Sequence, residues 1–370
     1  MSKFNTSIKK EPKAINLAGG KAYDQTKELE LLSILLTSFV DDSFYRSSND
    51  TLYRLRTLLN DVDPLFAAKA AIFARDKFGM RSISHVIASE LASKVGGQEW
   101  AKIFYDKIVV RLDDMTEIVS YYLNNNTDKT KPKFPNSMKK GFASAFDRYD
   151  GYHIAKYRGD GKEVKLVDIV NLVHPTPTER NADALSSLVK GTLKNIDTWE
   201  SKLSQAGQSD NSDDLKSKAW KDLLESKKIG YFAALRNVRN ILSQSPDQVD
   251  NLCGILTDEK MIKSSRVLPF RFNTAFDEIQ KLGASNRDVR KVLTAIDNAL
   301  GISSNNVPKI ENALVAIDVS GSMSGRPSEI ASIFGAILAK SNNCDVMIFD
   351  GYARYVNYNS NDSVMTIKKE

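Results

Sequence analysis

Asp318, Ser320 and Ser322 stand at alternate positions in the stretch LVAIDVSGSMSG, residues 314–325. One carboxylate and two hydroxyls there offer three hard oxygen ligands, a set that suits a small divalent cation, Mg²⁺ foremost. The apolar β-type run Leu314 to Ile317 delivers them to a turn punctuated by glycine, and a helical pattern begins near Pro327. Ligand sites of doubly wound α/β sheets lie at such carboxyl ends of strands. A bland cluster of loop serines is the alternative. Gly321-Ser322-Met323-Ser324-Gly325 also matches the nucleophile elbow G-x-S-x-G, which needs its acid and then its histidine downstream. His85, His153 and His174 all precede it. A serine hydrolase of that order is excluded, and no Gly-Lys-Ser/Thr follows to make a phosphate loop.

A second chemistry lies in the window Lys129 to Lys165, which holds ten Lys/Arg against four Asp/Glu in a chain whose net charge is only +6. A local excess of that kind is an electrostatic footprint for a polyanion. Phe134, Phe142, Phe146, Tyr149, Tyr152 and Tyr157 are interleaved with Lys139, Lys140, Arg148, Lys156 and Arg158. Cations neutralise phosphates while rings stack on unpaired bases, so the mixture suits single-stranded RNA. The competing reading, favoured on pattern alone, makes Phe142, Phe146 and Tyr149 the inner face of an amphipathic helix; the basic outer face survives either way. His85 reads as a mid-helix core or groove histidine. His174 precedes Pro175-Thr176-Pro177, where surface recognition and a structural cap are equally open.

From about Lys27 to Leu300 the apolar spacing is helical, as in Leu29, Leu32, Leu35, Leu36 and Phe39. Asp63-Pro64 reads as an N-cap and first-turn proline, and Gly79 as the stop of the helix between. Further helices are expected over 82–94, 99–110, 114–123, 137–149, 182–205, 215–225, 231–243, 246–256, 271–282 and 287–300. A dozen helices with short connections imply stacked antiparallel pairs, a solenoid whose repeat has no strict period. Gly301 to Pro308 reads as a linker. Strand 313–317, helix 328–340, strand 344–349 and a possible strand 352–358 then open a doubly wound sheet.

The 370 residues leave room for about two domains. A composition of 42% hydrophobic and 26% charged residues is that of an ordinary globular protein. The segment MSKFNTSIKKEPKAIN has no apolar core, and Leu29 to Val40 is too short to span a bilayer. Cys253 and Cys344 are in no metal-binding spacing and are expected to be reduced. The expected location is cytoplasmic.

RDKFGMRSISHVIASELA from Arg75, KKGFASAFDRYDGYHIAKYRG from Lys139, VDIVNLVHPTP from Val167, GYFAALRNVRNIL from Gly230 and VLPFRFNTAF from Val267 occur in this order. Together they resemble the TROVE module of Ro ribonucleoprotein proteins and of telomerase- and vault-associated proteins, over about residues 20 to 370. ALRNVRNIL and LPFRFNTAF are the most distinctive pieces. DVSGSMSG stands where the von Willebrand factor A domain of the Ro family would open its metal site. The resemblance implies a HEAT-like helical-repeat ring over residues 20–308, followed over 309–370 by an incomplete A domain. It implies binding of small noncoding, Y-like RNA and of single-stranded ends of misfolded RNA. By that analogy Lys139, Lys140, Arg148, Lys156, Arg158 and His174 are RNA-contact candidates, with Arg81 and His85 facing the RNA from a similarly placed segment. The family often has a basic residue soon after the position of His174, where this chain has Pro175-Thr176-Pro177.

A complete A-domain site also draws a threonine and a second aspartate from later loops, whereas 45 residues follow Gly325. Waters or a separate polypeptide are expected to complete the coordination begun by Asp318, Ser320 and Ser322. The expected function is a non-enzymatic RNA-binding protein that forms a ribonucleoprotein. The alternative is a helical-repeat protein-interaction scaffold that uses a Mg²⁺-dependent A-domain contact.

Overall fold

A computed structural model describes residues 14–15, 19–37, 48–125, 133–194, 203, 207 and 212–370, the last stretch without 228, 284, 306 and 308. The fold is mainly α, built of stacked helices followed by an α/β segment. The described residues divide into two compact units between Ile196 and Asp197. No helix among them is long and apolar enough to cross a membrane.

The first unit begins with a short antiparallel pair, β1 (Ala14–Ile15) and β2 (Lys21–Ala22). Among the described residues ten α-helices follow: α1 (Lys27–Thr37), α2 (Ser48–Asp61), α3 (Pro64–Lys77), α4 (Ser82–Glu90), α5 (Ala101–Lys107), α6 (Leu112–Asn125), α7 (Asn136–Ala145), α8 (Gly151–Lys156), α9 (Leu166–Val173) and α10 (Ala182–Val189). Their apolar stripes meet in one core that includes Leu31, Leu55, Ile87, Leu112, Phe142 and Ile169. The Asp63 carboxylate accepts from the N–H groups of Leu65 (3.3 Å) and Phe66 (3.1 Å), with Pro64 in the first turn of α3. Gly79, at φ 68°, turns the chain out of that helix. α5 and α7 pack most closely at Gly141, where a Cβ would come within 2.5 Å of Tyr105 Cβ and 2.6 Å of the Lys102 carbonyl. The helix expected over 182–205 instead stops at Val189. The Ser187 carbonyl turns to accept from the N–H groups of Thr192 and Leu193, and Gly191 takes φ 69°. Much of the remainder, 195–202 included, lies outside the described residues.

The second unit includes, among the described residues, α11 (Ser212–Glu225), α12 (Tyr231–Arg236), α13 (Val238–Gln244), α14 (Val249–Leu256), α15 (Glu259–Ser265), α16 (Pro269–Gln280) and α17 (Arg287–Ser304). The single helix expected over 231–243 breaks at Asn237, whose side-chain amide donates to the Ala233 carbonyl at 2.9 Å. Its φ of −102° and ψ of 11° lie outside the helical range. α15 had no counterpart in the sequence reading. Gly301 to Ser304, read as linker, is the last turn of α17. The α/β segment comprises β3 (Leu314–Asp318), α18 (Arg326–Asn342), β4 (Asp345–Phe349), β5 (Ala353–Val356) and α19 (Val364–Ile367). β3 and β4 are parallel, in register from Leu314↔Asp345 to Asp318↔Phe349, with α18 as the crossover. β5 returns antiparallel to β4. Ile333, Ala336 and Ile337 of α18, with Val364, Met365 and Ile367 of α19, join the same core as Leu252, Phe272, Val292 and Ile296. The α/β segment thus buries part of its apolar surface on the preceding helices.

Candidate nucleic-acid interface and candidate metal site

The basic window of the first unit is built on α7, α8, α9 and the turns between them. Phe142, Phe146 and Tyr149 are buried, so these rings belong to the core and are closed to a base. Tyr152 is 48% exposed and Tyr157 half-buried, which makes them the available faces. The Lys156 ammonium lies 5.7 Å from the centroid of each, and the Arg111 guanidinium 4.9 Å from that of Tyr157. Exposed cation–π pairs of this kind contribute about 0.5–1 kcal/mol.

The candidate RNA-contact residues differ in what already holds them. Lys140 and Lys156 are exposed and Lys139 half-buried on the helices that carry them, and none is in an ion pair among the described residues. His174 is exposed at the end of α9 in the left-handed conformation, φ 48° and ψ 64°. The segment that follows it is anchored by buried Asn181, whose amide donates to the carbonyls of Phe146 (3.1 Å) and Tyr149 (3.2 Å). Its carbonyl oxygen accepts from the Thr178 N–H at 2.7 Å. Arg148 is committed to the end of α5: it pairs with the Asp106 carboxylate and donates to the carbonyls of Asp106 (2.7 Å) and Val109 (3.0 Å). Arg158 donates to the Leu193 carbonyl at 3.0 Å and pairs with Asp160.

Arg81 and His85 lie in an ion network between α4 and α6. Arg81 reaches Asp113 (2.8 Å), Asp114 (3.0 Å) and Glu117 (2.7 Å). His85 is 3% exposed; its Nδ1 lies 3.0 Å from Glu117, and its Nε2 is 3.2 Å from Asp114 without a well-aligned hydrogen bond. Arg75, also buried, donates to both Asp114 oxygens at 3.1 and 2.9 Å. Burial alone would raise the Asp114 carboxyl, but His85, Arg75 and the Arg111 N–H outweigh it and hold the group well below the usual carboxylate range. Burial likewise opposes ionisation of Glu117, and His85 and Arg81 reverse it. The imidazole of His85 is packed away from solvent, against the carboxylates of Asp114 and Glu117.

Two cations that the sequence reading did not single out join these parts. Arg111 pairs with Asp113 at 2.8 Å while lying over Tyr157. Lys162 approaches Glu117 at 3.6 Å and Asp113 at 3.8 Å. Arg81, Arg111 and Lys162 therefore gather round Asp113 and Glu117, and Arg111 links that group to the Tyr157–Lys156–Tyr152 array. Lys162 was inside the basic window; the position of Arg111 beside Tyr157 is a tertiary contact with no local signal.

In the second unit, Asp318 ends β3, Ser320 and Ser322 follow in a tight turn, and Gly325 at φ 78° leads into α18. The Asp318 carboxylate accepts from the Ser320 N–H at 2.9 Å, and the hydroxyl oxygens of Ser320 and Ser322 are 3.3 Å apart. The Ser320 hydroxyl and N–H keep the carboxyl below its ordinary pKa, hence ionised at neutral pH. Three hard oxygens on one turn would supply part of the six-oxygen shell of Mg²⁺, and Asp318, Ser320 and Ser322 are the residues that would hold it. Among the described residues no group of three or more His, Cys, Asp or Glu side chains is arranged to hold a metal. Cys253 and Cys344 are free thiols, and burial raises both, Cys253 to about 11.

Residues 189–324 match the family model described as TROVE domain. Two relatives named telomerase protein component 1 are similar to this chain, that of Mus musculus at 21% identity and that of Rattus norvegicus at 19%. Each alignment covers 71% of this chain but 13% of the relative, so the chain corresponds to a small part of those proteins. The crystal structure of the Ro (RSR) protein of Deinococcus radiodurans superposes with a TM-score of 0.63 over 93% of this chain and 79% of that one. At 16% identity that likeness speaks for the fold. Residues 189–324 thus match the TROVE domain, the telomerase-component relatives are similar over 71% of the chain, and the fold is similar to that of a Ro protein.

Proposed function

We propose that this protein binds RNA and forms a ribonucleoprotein, taking small noncoding, Y-like RNA and single-stranded ends of structured or misfolded RNA. The observation that carries the reading is the set of ammonium groups Lys139, Lys140 and Lys156, none in an ion pair among the described residues, with exposed His174, in the same unit as exposed Tyr152 and half-buried Tyr157. Phosphates take the ammonium groups and unpaired bases take the rings. Arg148, Arg158 and Arg81 contribute field while their donors stay largely on protein acceptors. The proposed setting is cytoplasmic.

Gel shift with a structured RNA bearing a 3′ tail tests the reading. Affinity is expected to fall steeply with salt and to drop when the tail is removed. Retention indifferent to both, or pull-down of a protein partner that survives nuclease, would favour the scaffold reading.

The Asp318 turn is proposed to hold Mg²⁺ or a similar cation in an A-like domain, with waters among the groups filling the other positions. Calorimetric titration with Mg²⁺ and Mn²⁺ is expected to show one weak site that Asp318→Ala abolishes. Equal heats in the variant would remove the site.

A further inference from the structure

ALRNVRNIL and LPFRFNTAF are used by neither the basic window nor the Asp318 turn, yet the structure brings them together. They line a cavity of about 580 Å³ in the second unit, between α12, α13 and α16. Its floor is apolar, with Leu235 and Val238 both buried. Its rim carries three exposed arginines, Arg236, Arg239 and Arg271, together with the ring of Phe232, which is 42% exposed. The Arg271 guanidinium lies 5.6 Å from the centroid of Phe232 and 4.9 Å from that of the adjacent Phe270. Arg239 is steadied by Glu278 at 3.2 Å, a carboxylate that Lys281 also engages at 2.5 Å. Arg236 and Arg271 have no carboxylate partner among the described residues.

The volume falls in the range of about 300–1,000 Å³ that houses small ligands. An inorganic anion would occupy the arginines but leave the ring and the apolar floor without a role. An acidic peptide would do the same unless it also presented a planar group. A nucleotide uses all three features: its base has a π-face for Phe232 and the guanidinium plane, and its phosphate suits the fork of an arginine. We propose that this cavity takes one unpaired nucleotide of a single-stranded RNA, with the base stacked on Phe232 and Arg271 and the phosphate held by Arg236 and Arg239. This subsite rests on the RNA-binding reading and adds to it a position in the second unit.

The test uses the full chain and a fluorescent single-stranded oligouridylate. Phe232→Ala and Arg271→Ala are each expected to weaken binding about tenfold, the loss of one stacked base. Against an oligomer with abasic positions, each variant is expected to bind as the parent does. Arg271→Lys keeps the charge but not the plane, and is expected to keep the salt dependence while losing most of the base contribution. If the parent binds the oligomer and both alanine variants match it within twofold, the subsite is overturned and the broader RNA reading stands. If the parent binds no RNA, both fall. Full rescue by Arg271→Lys would overturn the stacking assignment. Should a variant fail to fold, photo-crosslinking of 4-thiouridine RNA to the parent decides: crosslinks at Phe232 or Arg271 support the subsite, and crosslinks confined to the first unit overturn it.

Discussion

Asp114→Asn is expected to destabilise the first unit by about 3–5 kcal/mol, the cost of removing one partner from a buried ion network. The carboxylate accepts from Arg75 through both oxygens and from Arg81 at 3.0 Å. It also accepts from the N–H groups of Val110 (3.0 Å) and Arg111 (2.9 Å). Asparagine keeps one acceptor oxygen and turns two N–H donors toward groups that are themselves donors. Arg75 is then left as a buried charge with no anion in reach on that side. Urea unfolding, with hydrogen exchange of the first-unit amides to localise the loss, measures the effect. A change below about 1 kcal/mol would mean that the network relaxes around the loss, as surface pairs do.

The same carboxylate sets the response to acid. Its pKa in the folded state lies below that in the unfolded chain, so its contribution is complete above the unfolded value of about 3.9. It is lost progressively as pH falls below that value, because the unfolded chain takes up the proton first. Glu117 is shifted in the same direction and adds to the loss. The parent is therefore expected to lose stability steeply below about pH 4, and Asp114→Asn to show a flatter curve there. Parallel curves would place the acid sensitivity on other carboxylates.

This network also marks the limit of what the sequence discloses. The Asp63-Pro64 cap, the β3–α18–β4 crossover and the core face of Phe142, Phe146 and Tyr149 follow from local rules, namely capping chemistry, strand length and helical spacing. The local pattern read His85 as a core or groove histidine, and only the resemblance set Arg81 and His85 toward the RNA; neither signal carries a record of α6. Their carboxylate partners Asp113, Asp114 and Glu117 lie about thirty residues on and become neighbours only when α4 packs on α6. Gly141 is similar: a mid-helix glycine reads as a weak point until Tyr105 and the Lys102 carbonyl are seen to need the space. The break at Asn237 was hidden inside an unbroken apolar period. At the Asp318 turn the donor types were legible, because alternate oxygens after a strand form a local feature. The pairing of Arg111 with Tyr157 was not, since it joins the start of α6 to the end of α8.

Reversing Lys139, Lys140 and Lys156 to glutamate together is expected to weaken binding of structured RNA on the order of a hundredfold at about 0.1 M salt. Each phosphate contact contributes about 0.7–0.9 to the slope of log affinity against log salt, so losing three should flatten that slope by about two to three. The three side chains have no ion partner among the described residues, and reversal therefore breaks no internal salt bridge. Lys156 lies over Tyr152 and Tyr157, and its loss removes at most two weak cation–π contacts. Unfolding midpoints should accordingly stay near those of the parent while the gel shift collapses. Arg148→Glu would give the converse pattern, because its guanidinium holds Asp106 and two carbonyls at the end of α5. Its loss should show first in stability and only then in binding. Unchanged affinity and slope in the triple lysine variant, with the fold intact, would move the RNA interface off this window altogether.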